Sequence, residues 1–448
     1  MNLCVVGLGK LGAPLAAVLA SAGHQVVGVD LSPTVVKALA EGRAPFPETG
    51  LQELLRTVGA HLTATTDLAA AVRASEMTFL IVPTPSEPEG GFSLRHILTA
   101  VAGIGDALSE GTHDHVVVIT STVMPGSTDG PIRAALEAHA GRQLGNNLGL
   151  CYSPEFIALG SVIRNMTHPD LILIGSSSPA AAETLARVAH SYTPERPPIV
   201  KLSPIDAELA KIAVNTFITT KLSFANQLGE ICERLPGADA VAITGAIGLD
   251  TRIGTRYLRP ATAYGGPCFP RDNRALSALA RSLGVSPDIP EATDRVNQRQ
   301  SQRLTEVVLT HLPPGGHVAI LGLTYKPDTP VIEESAGIAL AKDLADRGVR
   351  VITHDPSGTD AARAELGPAV AYASDLGDAI ASADVIVITT PWHEYSNVAQ
   401  IAGGRLIVDC WGQCAQSPGT RARLLNPSTF NAPAGAATPR LLSAGEPT

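Results

Sequence analysis

A short apolar run at residues 3–6 opens directly onto Gly7-Leu8-Gly9-Lys10-Leu11-Gly12, and the helical stretch LAAVLASAG follows. This order constrains the fold more than any other feature of the chain. A glycine-rich turn between a buried strand and a helix permits a tight reversal and brings backbone close to a ligand at the helix N-terminus. The next strand-like run, 24–30, ends in an acid about 20 residues beyond the turn, the spacing of a dinucleotide-binding βαβ unit. Asp30 is placed to hydrogen-bond the adenosine ribose hydroxyls and to repel a 2′-phosphate, which favours NAD over NADP. Gly7, Gly9, Lys10, Leu11, Gly12 and Asp30 are the cofactor-binding candidates of this unit.

Further strand signals at 77–82, 115–120, 149–153 and 171–175 alternate with helical segments, as a parallel sheet requires. Ligands of such sheets lie beyond the carboxyl ends of the strands. Three loops are therefore expected to face the cofactor: Pro83-Thr84-Pro85, the loop 121–126 with Ser121 and Thr122, and Ser153-Pro154-Glu155-Phe156.

Residues 204–234 read as one long helix with a single internal glycine, Gly229. Lys211 and Asn215 are spaced i, i+4 and share a face. The apolar neighbours Ala207, Ile212, Ala213, Val214 and Ile218 argue that this face is partly buried. A helix of this length between two α/β lobes is expected to act as a spine and a dimer surface. Downstream, Tyr264-Gly265-Gly266-Pro267-Cys268-Phe269-Pro270-Arg271-Asp272 precedes a helical run at 273–283. Cys268 should sit just ahead of the helix N-terminus, where a thiol's pKa falls, with Asp272 in the first turn near the sulfur.

A second α/β unit starts at 317–323 and continues through a helix at about 335–347 and strands at 349–355, 385–389 and 406–409. It echoes the first unit without the glycine fingerprint, so no second dinucleotide is expected there. Tyr325-Lys326-Pro327-Asp328 stands where the phosphate loop would be. The expected fold class is α/β, with two Rossmann-like doubly wound domains joined by a long central helix. The expected domains are 1–200, binding NAD; 201–300, a central helical dimerisation segment with the cysteine loop; and 301–425, binding a nucleotide sugar. A Pro-, Ala-, Gly- and Ser-rich tail at 426–448 is expected to be disordered.

The 448 residues carry a net charge of −9 without a basic block, so neither nucleic acid nor an anionic membrane is an expected partner. Six cysteines at irregular spacing give no disulfide framework, and Cys410 with Cys414 alone is not a zinc pattern, so no metal is expected. No apolar run is long enough to span a bilayer, and the strand at residue 3 leaves no room for a signal peptide ahead of it. A cytoplasmic protein is expected.

Together these pieces resemble the UDP-glucose/GDP-mannose dehydrogenase family. The resemblance rests on GLGKLG at 7–12, STVMPGS at 121–127, YSPEF at 152–156 and the Lys211/Asn215 helix. It continues with DTRIG at 250–254, YGGPCFPRD at 264–272 and GLTYKPDT at 322–329. It covers nearly everything but the tail. It implies a four-electron oxidation of a sugar's C6 hydroxymethyl to a carboxylate, with Cys268 trapping the aldehyde as a thiohemiacetal and then a thioester. By the same matching, Lys211 and Asn215 stabilise the oxyanion, and Glu155 and Asp272, with Thr122 holding a water, act as general bases. The resemblance also assigns Phe156, Tyr257, Tyr264, Gly265, Tyr325 and Lys326 to the nucleotide sugar. Arg252 would reach the substrate of a neighbouring subunit, which implies a homodimer.

Glu333, Val35 and Cys410-Trp411 depart from the residues many relatives carry there. DTRIG resembles the UDP-glucose branch, whereas Tyr257-Leu258-Arg259-Pro260 resembles the GDP-mannose branch. UDP-glucose is the favoured substrate; GDP-mannose, a UDP-N-acetylhexosamine or another nucleotide glucose stays open. Two rivals stand further off: a two-electron β-hydroxyacid dehydrogenase, which has no use for the cysteine, and a non-catalytic nucleotide-sugar-binding regulator.

Overall fold

Strand runs rich in Val, Ile and Leu that are buried on both faces mark a parallel sheet covered by helices, and this chain builds two such sheets. The structure, a computed structural model, describes residues 1–414 and the strand Ala422–Leu424; the expected tail at 426–448 lies outside the described residues. The first sheet comprises β1 (Asn2–Val6), β2 (Gln25–Val29), β3 (Leu62–Thr65), β4 (Met77–Leu80), β5 (His115–Ile119), β6 (Leu148–Tyr152), β7 (Ile172–Gly175) and β8 (Ile199–Leu202). Its order is β3-β2-β1-β4-β5-β6-β7-β8, and only the β6/β7 pair is antiparallel. The second sheet comprises β9 (His317–Leu321), β10 (Arg350–His354), β11 (Ala371–Tyr372), β12 (Val385–Ile388), β13 (Leu406–Asp409) and β14 (Ala422–Leu424). Its order, β11-β10-β9-β12-β13-β14, repeats the first six positions of the other sheet. Strands β3, β8 and β11 lie at sheet edges and carry mixed or half-exposed residues, so no apolar run marks them in the sequence.

Each sheet separates two apolar layers. Leu3 and Val5 point into one, Cys4 and Val6 into the other; Val318 and Ile320 are likewise divided from Ala319 and Leu321. This is the period-two alternation of a strand buried on both sides.

The repeat extends to individual residues. Gly7 donates its N–H to Val29 O at 2.8 Å, and Gly322 donates to His354 O at 2.9 Å. A Cβ on Gly12 would fall 1.8 Å from Gly7 O, and one on Gly337 would fall 2.0 Å from Gly322 O. In both lobes, then, the first turn of the helix after the first strand must hold a residue lacking a side chain. The second lobe lacks the G-x-G-x-x-G run, as expected, yet Gly322 and Gly337 take the places of Gly7 and Gly12, with the long segment 323–336 between them.

Between the lobes runs the helix Pro204–Arg234, 31 residues long. Ser203 caps it by accepting from Asp206 N at 3.2 Å, and Pro204 occupies its first turn. Its polarity is inverted. Glu208, Lys211, Asn215, Thr219, Ser223 and Asn226 are buried. Ile205, Leu209, Val214, Phe217, Phe224 and Ile231 are exposed. Ile212 and Ala207 are buried as expected, whereas Ala213 and Val214 lie on the opposite, exposed face.

Candidate active site

The carboxyl ends of β1 and β4 meet where the strand order of the first sheet reverses, which is where open α/β sheets bind ligands. Three features of the cradle fit a dinucleotide. Nothing lies within 4 Å of a Cβ position on Gly9. No side chain caps the helix Gly12–Ser21, whose N-cap is Leu11. Asp30 accepts from Leu8 N at 2.7 Å and from Ser32 N at 2.8 Å, so the acid expected to meet the ribose also holds the glycine turn in shape. Lys10 and Pro83 are exposed at the rim. Ser121 and Thr84 tie neighbouring loops together: Ser121 Oγ donates to Val82 O at 2.8 Å, and Thr84 Oγ1 donates to Thr122 O at 2.8 Å. Val35, in the helix after Ser32, packs on the apolar core and offers no charge to the cofactor.

Cys268 is the N-cap of the helix Phe269–Ser282, with Pro270 in the first turn and Asp272 buried behind it. Asp272 accepts from Asn215 Nδ2 at 2.6 Å and from Arg271 Nε at 3.4 Å. Lys211 Nζ donates to the backbone oxygen of Glu155 at 2.7 Å and lies 4.8 Å from the centre of the Phe156 ring. Three distant segments thus converge: the loop after β6, the central helix and the cysteine loop. Their charges act on one another. Burial pushes the Glu155 carboxyl up to about 7, with Lys211 opposing the shift. Burial lowers the Lys211 pKa, against the pull of Asp272, Cys268 and Glu155. The thiol's expected depression is not found. Cys268 is reachable by water, but surrounding protein and the Asp272 carboxylate raise its pKa, outweighing Lys211 and Arg271. A helix N-terminus acts over one turn, and here a carboxylate occupies that same turn.

The proposed sugar ligands divide into two sets. Tyr325 packs its ring against Gly266, and Lys326 lies half-buried beside it, its pKa lowered by burial. Tyr264 is buried, and its hydroxyl donates to Asp294 at 2.9 Å. Tyr257 is exposed, with its ring edge-on to Phe269 at 6.3 Å. Arg252 is remote from this cluster in character: its side chain is 87% exposed and pairs with Asp250 in its own turn. Trp411 donates its indole N–H to Thr389 O at 2.8 Å, and its carbonyl accepts from Arg259 Nη2 at 2.6 Å, tying the 257–260 segment to the second lobe.

Three contributors escaped the sequence reading. Glu208, fully buried, accepts from Gly126 N at 2.6 Å and Thr128 N at 2.7 Å, fixing the loop that carries Thr122. Its place one helical turn before Lys211 was the available signal. Arg271 spans from Asp272 to Thr84 O at 3.3 Å and stacks 4.5 Å over the Phe92 ring. Glu48 accepts from Gly160 N and Val162 N, both at 2.9 Å, and so anchors the loop after Phe156.

A dinucleotide cradle on one Rossmann-like lobe, a second lobe of the same strand order, and a cysteine held between them define an NAD-dependent oxidoreductase of two nucleotide-binding domains. The chain belongs to the UDP-glucose/GDP-mannose dehydrogenase family. The family's NAD-binding domain matches residues 1–193, its central domain 205–299 and its UDP-binding domain 319–416. A UDP-glucose 6-dehydrogenase of Haloferax volcanii is 37% identical over 400 residues, covering 88% of this chain and 92% of the relative. A GDP-mannose 6-dehydrogenase of Pseudomonas putida is 31% identical over 439 residues, covering 94% and 99%. A UDP-glucose dehydrogenase structure from Pyrobaculum islandicum superposes with a TM-score of 0.86 at 35% identity, covering 94% and 96% of the two chains. The substrate is a nucleotide sugar and the cofactor NAD. Among the described residues, no helix is long and apolar enough to cross a membrane.

Proposed function

We propose that the protein oxidises UDP-glucose to UDP-glucuronate, with Cys268 as covalent nucleophile. The observation that carries this reading is the convergence of Lys211, Asn215, Asp272 and Glu155 around one water-reachable thiol at a helix start.

Gly7, Gly9, Lys10, Leu11, Gly12, Asp30, Pro83, Thr84, Ser121 and Thr122 would hold NAD, which would supply the hydride acceptor for each of two oxidations. In the first, the C6 hydroxyl loses its proton through a water held by Thr122 to Glu155 or Asp272, and the C6–H bond breaks to leave an aldehyde. The Cys268 sulfur then bonds to C6, and its proton passes to the carbonyl oxygen, giving a thiohemiacetal. Trapping divides a hard oxidation and keeps the aldehyde from escaping. The thiohemiacetal's hydroxyl then gives its proton to Glu155 or Asp272 as C6 loses its remaining hydride, and a thioester results. Water, deprotonated by the same carboxylates, attacks C6; the C–S bond breaks, and the acid and free thiol return. Lys211 and Asn215 donate to the oxyanion in the steps that develop one. Phe156, Tyr257, Tyr264, Gly265, Tyr325 and Lys326 hold the nucleotide sugar. The working unit is a homodimer through the exposed apolar face of the central helix, which would bring Arg252 to the partner's substrate.

The test is NADH formed per sugar consumed, followed over UDP-glucose, GDP-mannose and UDP-N-acetylhexosamines. Two NADH with UDP-glucose supports the reading. Two NADH only with another nucleotide keeps the chemistry and overturns the substrate; one NADH with every substrate overturns the chemistry. Cys268→Ser should release no free acid, and acid at the parent rate would sink the covalent route.

A further inference from the structure

The insertion that separates the second lobe's two glycines returns to the active site. Its segment Tyr325–Glu334 holds two non-glycine residues in the left-handed region, Asp328 at φ 62° and Glu334 at φ 52°. Such conformations are uncommon outside glycine and persist where surrounding structure demands them. Each directs its carbonyl at a glycine of another part of the chain. A Cβ on Gly160 would lie 2.2 Å from Asp328 O, and one on Gly265 would lie 2.0 Å from Glu334 O. Neither contact tolerates a side chain, because the opposing atom is backbone.

The two receiving glycines flank the chemistry. Gly160 ends the loop carrying Glu155 and Phe156, a loop that Glu48 already grips from the first lobe. Gly265 lies three residues before Cys268 in the other wall. Between the two seats, Glu333 O accepts from Gly266 N at 3.0 Å, and the Tyr325 ring packs on Gly266. The segment is closed on itself by Tyr325 N donating to Val331 O at 3.0 Å, and Arg274 pairs with Glu334 outside it.

We propose that Tyr325–Glu334 is a positioning strap: the carbonyls of Asp328 and Glu334, seated on Gly160 and Gly265, set the width of the cleft between the Glu155 wall and the Cys268 wall. The second lobe thereby does more than bind a nucleotide; it fixes the distance over which the thiol meets C6. The left-handed backbone at Asp328 and Glu334 is what aims both carbonyls inward. The inference rests on the nucleotide-sugar oxidation proposed above, and its test separates the two.

Gly160→Ala and Gly265→Ala each place a methyl against a backbone oxygen and lift the strap. Expected is a fall of about tenfold or more in kcat/KM for the nucleotide sugar, the scale of a misplaced reacting group. The NAD dissociation constant should stay within about twofold, because the cradle at residues 7–12 is untouched. A second readout needs no turnover. Five of the six cysteines are buried and Cys268 alone is exposed, so the rate of iodoacetamide alkylation reports on its surroundings. It should rise about threefold or more when Tyr325 and Glu333 no longer flank the thiol. Parent-like kcat/KM and alkylation in both variants would overturn the strap. So would a fall in NAD affinity equal to the fall in kcat/KM.

Should the alanine variants not fold, Asp328→Gly against Asp328→Val decides. Glycine keeps the carbonyl in the left-handed region and should retain turnover; valine cannot hold that conformation and should lose it. Equal activities overturn the proposal. If the parent enzyme oxidises no nucleotide sugar, the functional reading falls, and alkylation of the same variants still decides the strap.

Discussion

Glu155 shows how a single residue ties rate to stability. Its carboxyl is pushed up to about 7 from the ordinary 4.5 by burial. The proposed role of Glu155 as a base requires it deprotonated, so kcat/KM should rise with pH through about 7 and level off above it, and Glu155→Gln should abolish that rise. The stability effect has the opposite sign. Between pH 4.5 and about 7 the native state holds a proton that the unfolded chain has released, so native stability falls as pH rises through that window. Glu155→Gln should therefore raise Tm relative to the parent at pH 8 and leave it nearly unchanged at pH 4, as calorimetry at the two pH values would show. Glu208 should behave differently. Its two carboxylate oxygens each accept one backbone N–H, and an amide would set an N–H donor against one of them. Glu208→Gln should cost about 1–3 kcal/mol of stability and lower kcat through the displaced Thr122 loop. Denaturant midpoints beside steady-state rates measure both. Unchanged values would show that the clamp is ornamental.

The central helix carries the clearest message at the level of elements. Ordinary surface helices bury their apolar stripe; this one buries Glu208, Lys211, Asn215 and Thr219 and exposes Phe217 and Phe224, at 68% and 50%. The polar seam serves the site, and the apolar stripe suits a second copy of the chain, since a C2 contact can cover the same face on both partners. If the stripe pairs two copies as proposed, Phe217→Glu with Phe224→Glu should leave a monomer where the parent sediments as a dimer in sedimentation velocity. NAD affinity should survive, because the cradle lies on another element. A parent protein that sediments as a monomer would overturn this assignment of the stripe. The bounds of the helix were legible in the sequence; which face is covered was not. Ala213 and Val214 looked like burial signals beside Lys211 and lie on the outer face, because a helix whose inside is polar defeats the rule that apolar neighbours point inward.

In the molecule as a whole, the two lobes are variations on one design, with the same strand order and a matching strand-end acid. Asp30 holds Leu8 N, and Asp355 holds Leu323 N at 2.6 Å. Each lobe offers its crevice to a different nucleotide, so binding should protect them separately. Hydrogen exchange with NAD alone should slow the amides around Gly7–Gly12 and Ser32. Uridine diphosphate alone should slow those around Leu323–Lys326 and, through the Gly160 and Gly265 seats, the cysteine loop. Protection confined to the first lobe with both ligands would refute the division of labour.

The sequence by itself determined the glycine cradle with its acid, the alternation of strands and helices, the long helix and the placement of Cys268 at a helix start. These depend on residues close in the chain, where sterics and periodicity decide. Only the tertiary structure decided that Gly322 and Gly337 take the places of Gly7 and Gly12, that the thiol's pKa is raised and not lowered, and that Glu208, Arg271 and Glu48 brace the site. Those outcomes depend on which desolvated charges and which backbone carbonyls meet after folding. A glycine at 160 is opposed by a carbonyl at 328 only because two sheets and one helix bring them within van der Waals contact, and no local pattern records that meeting.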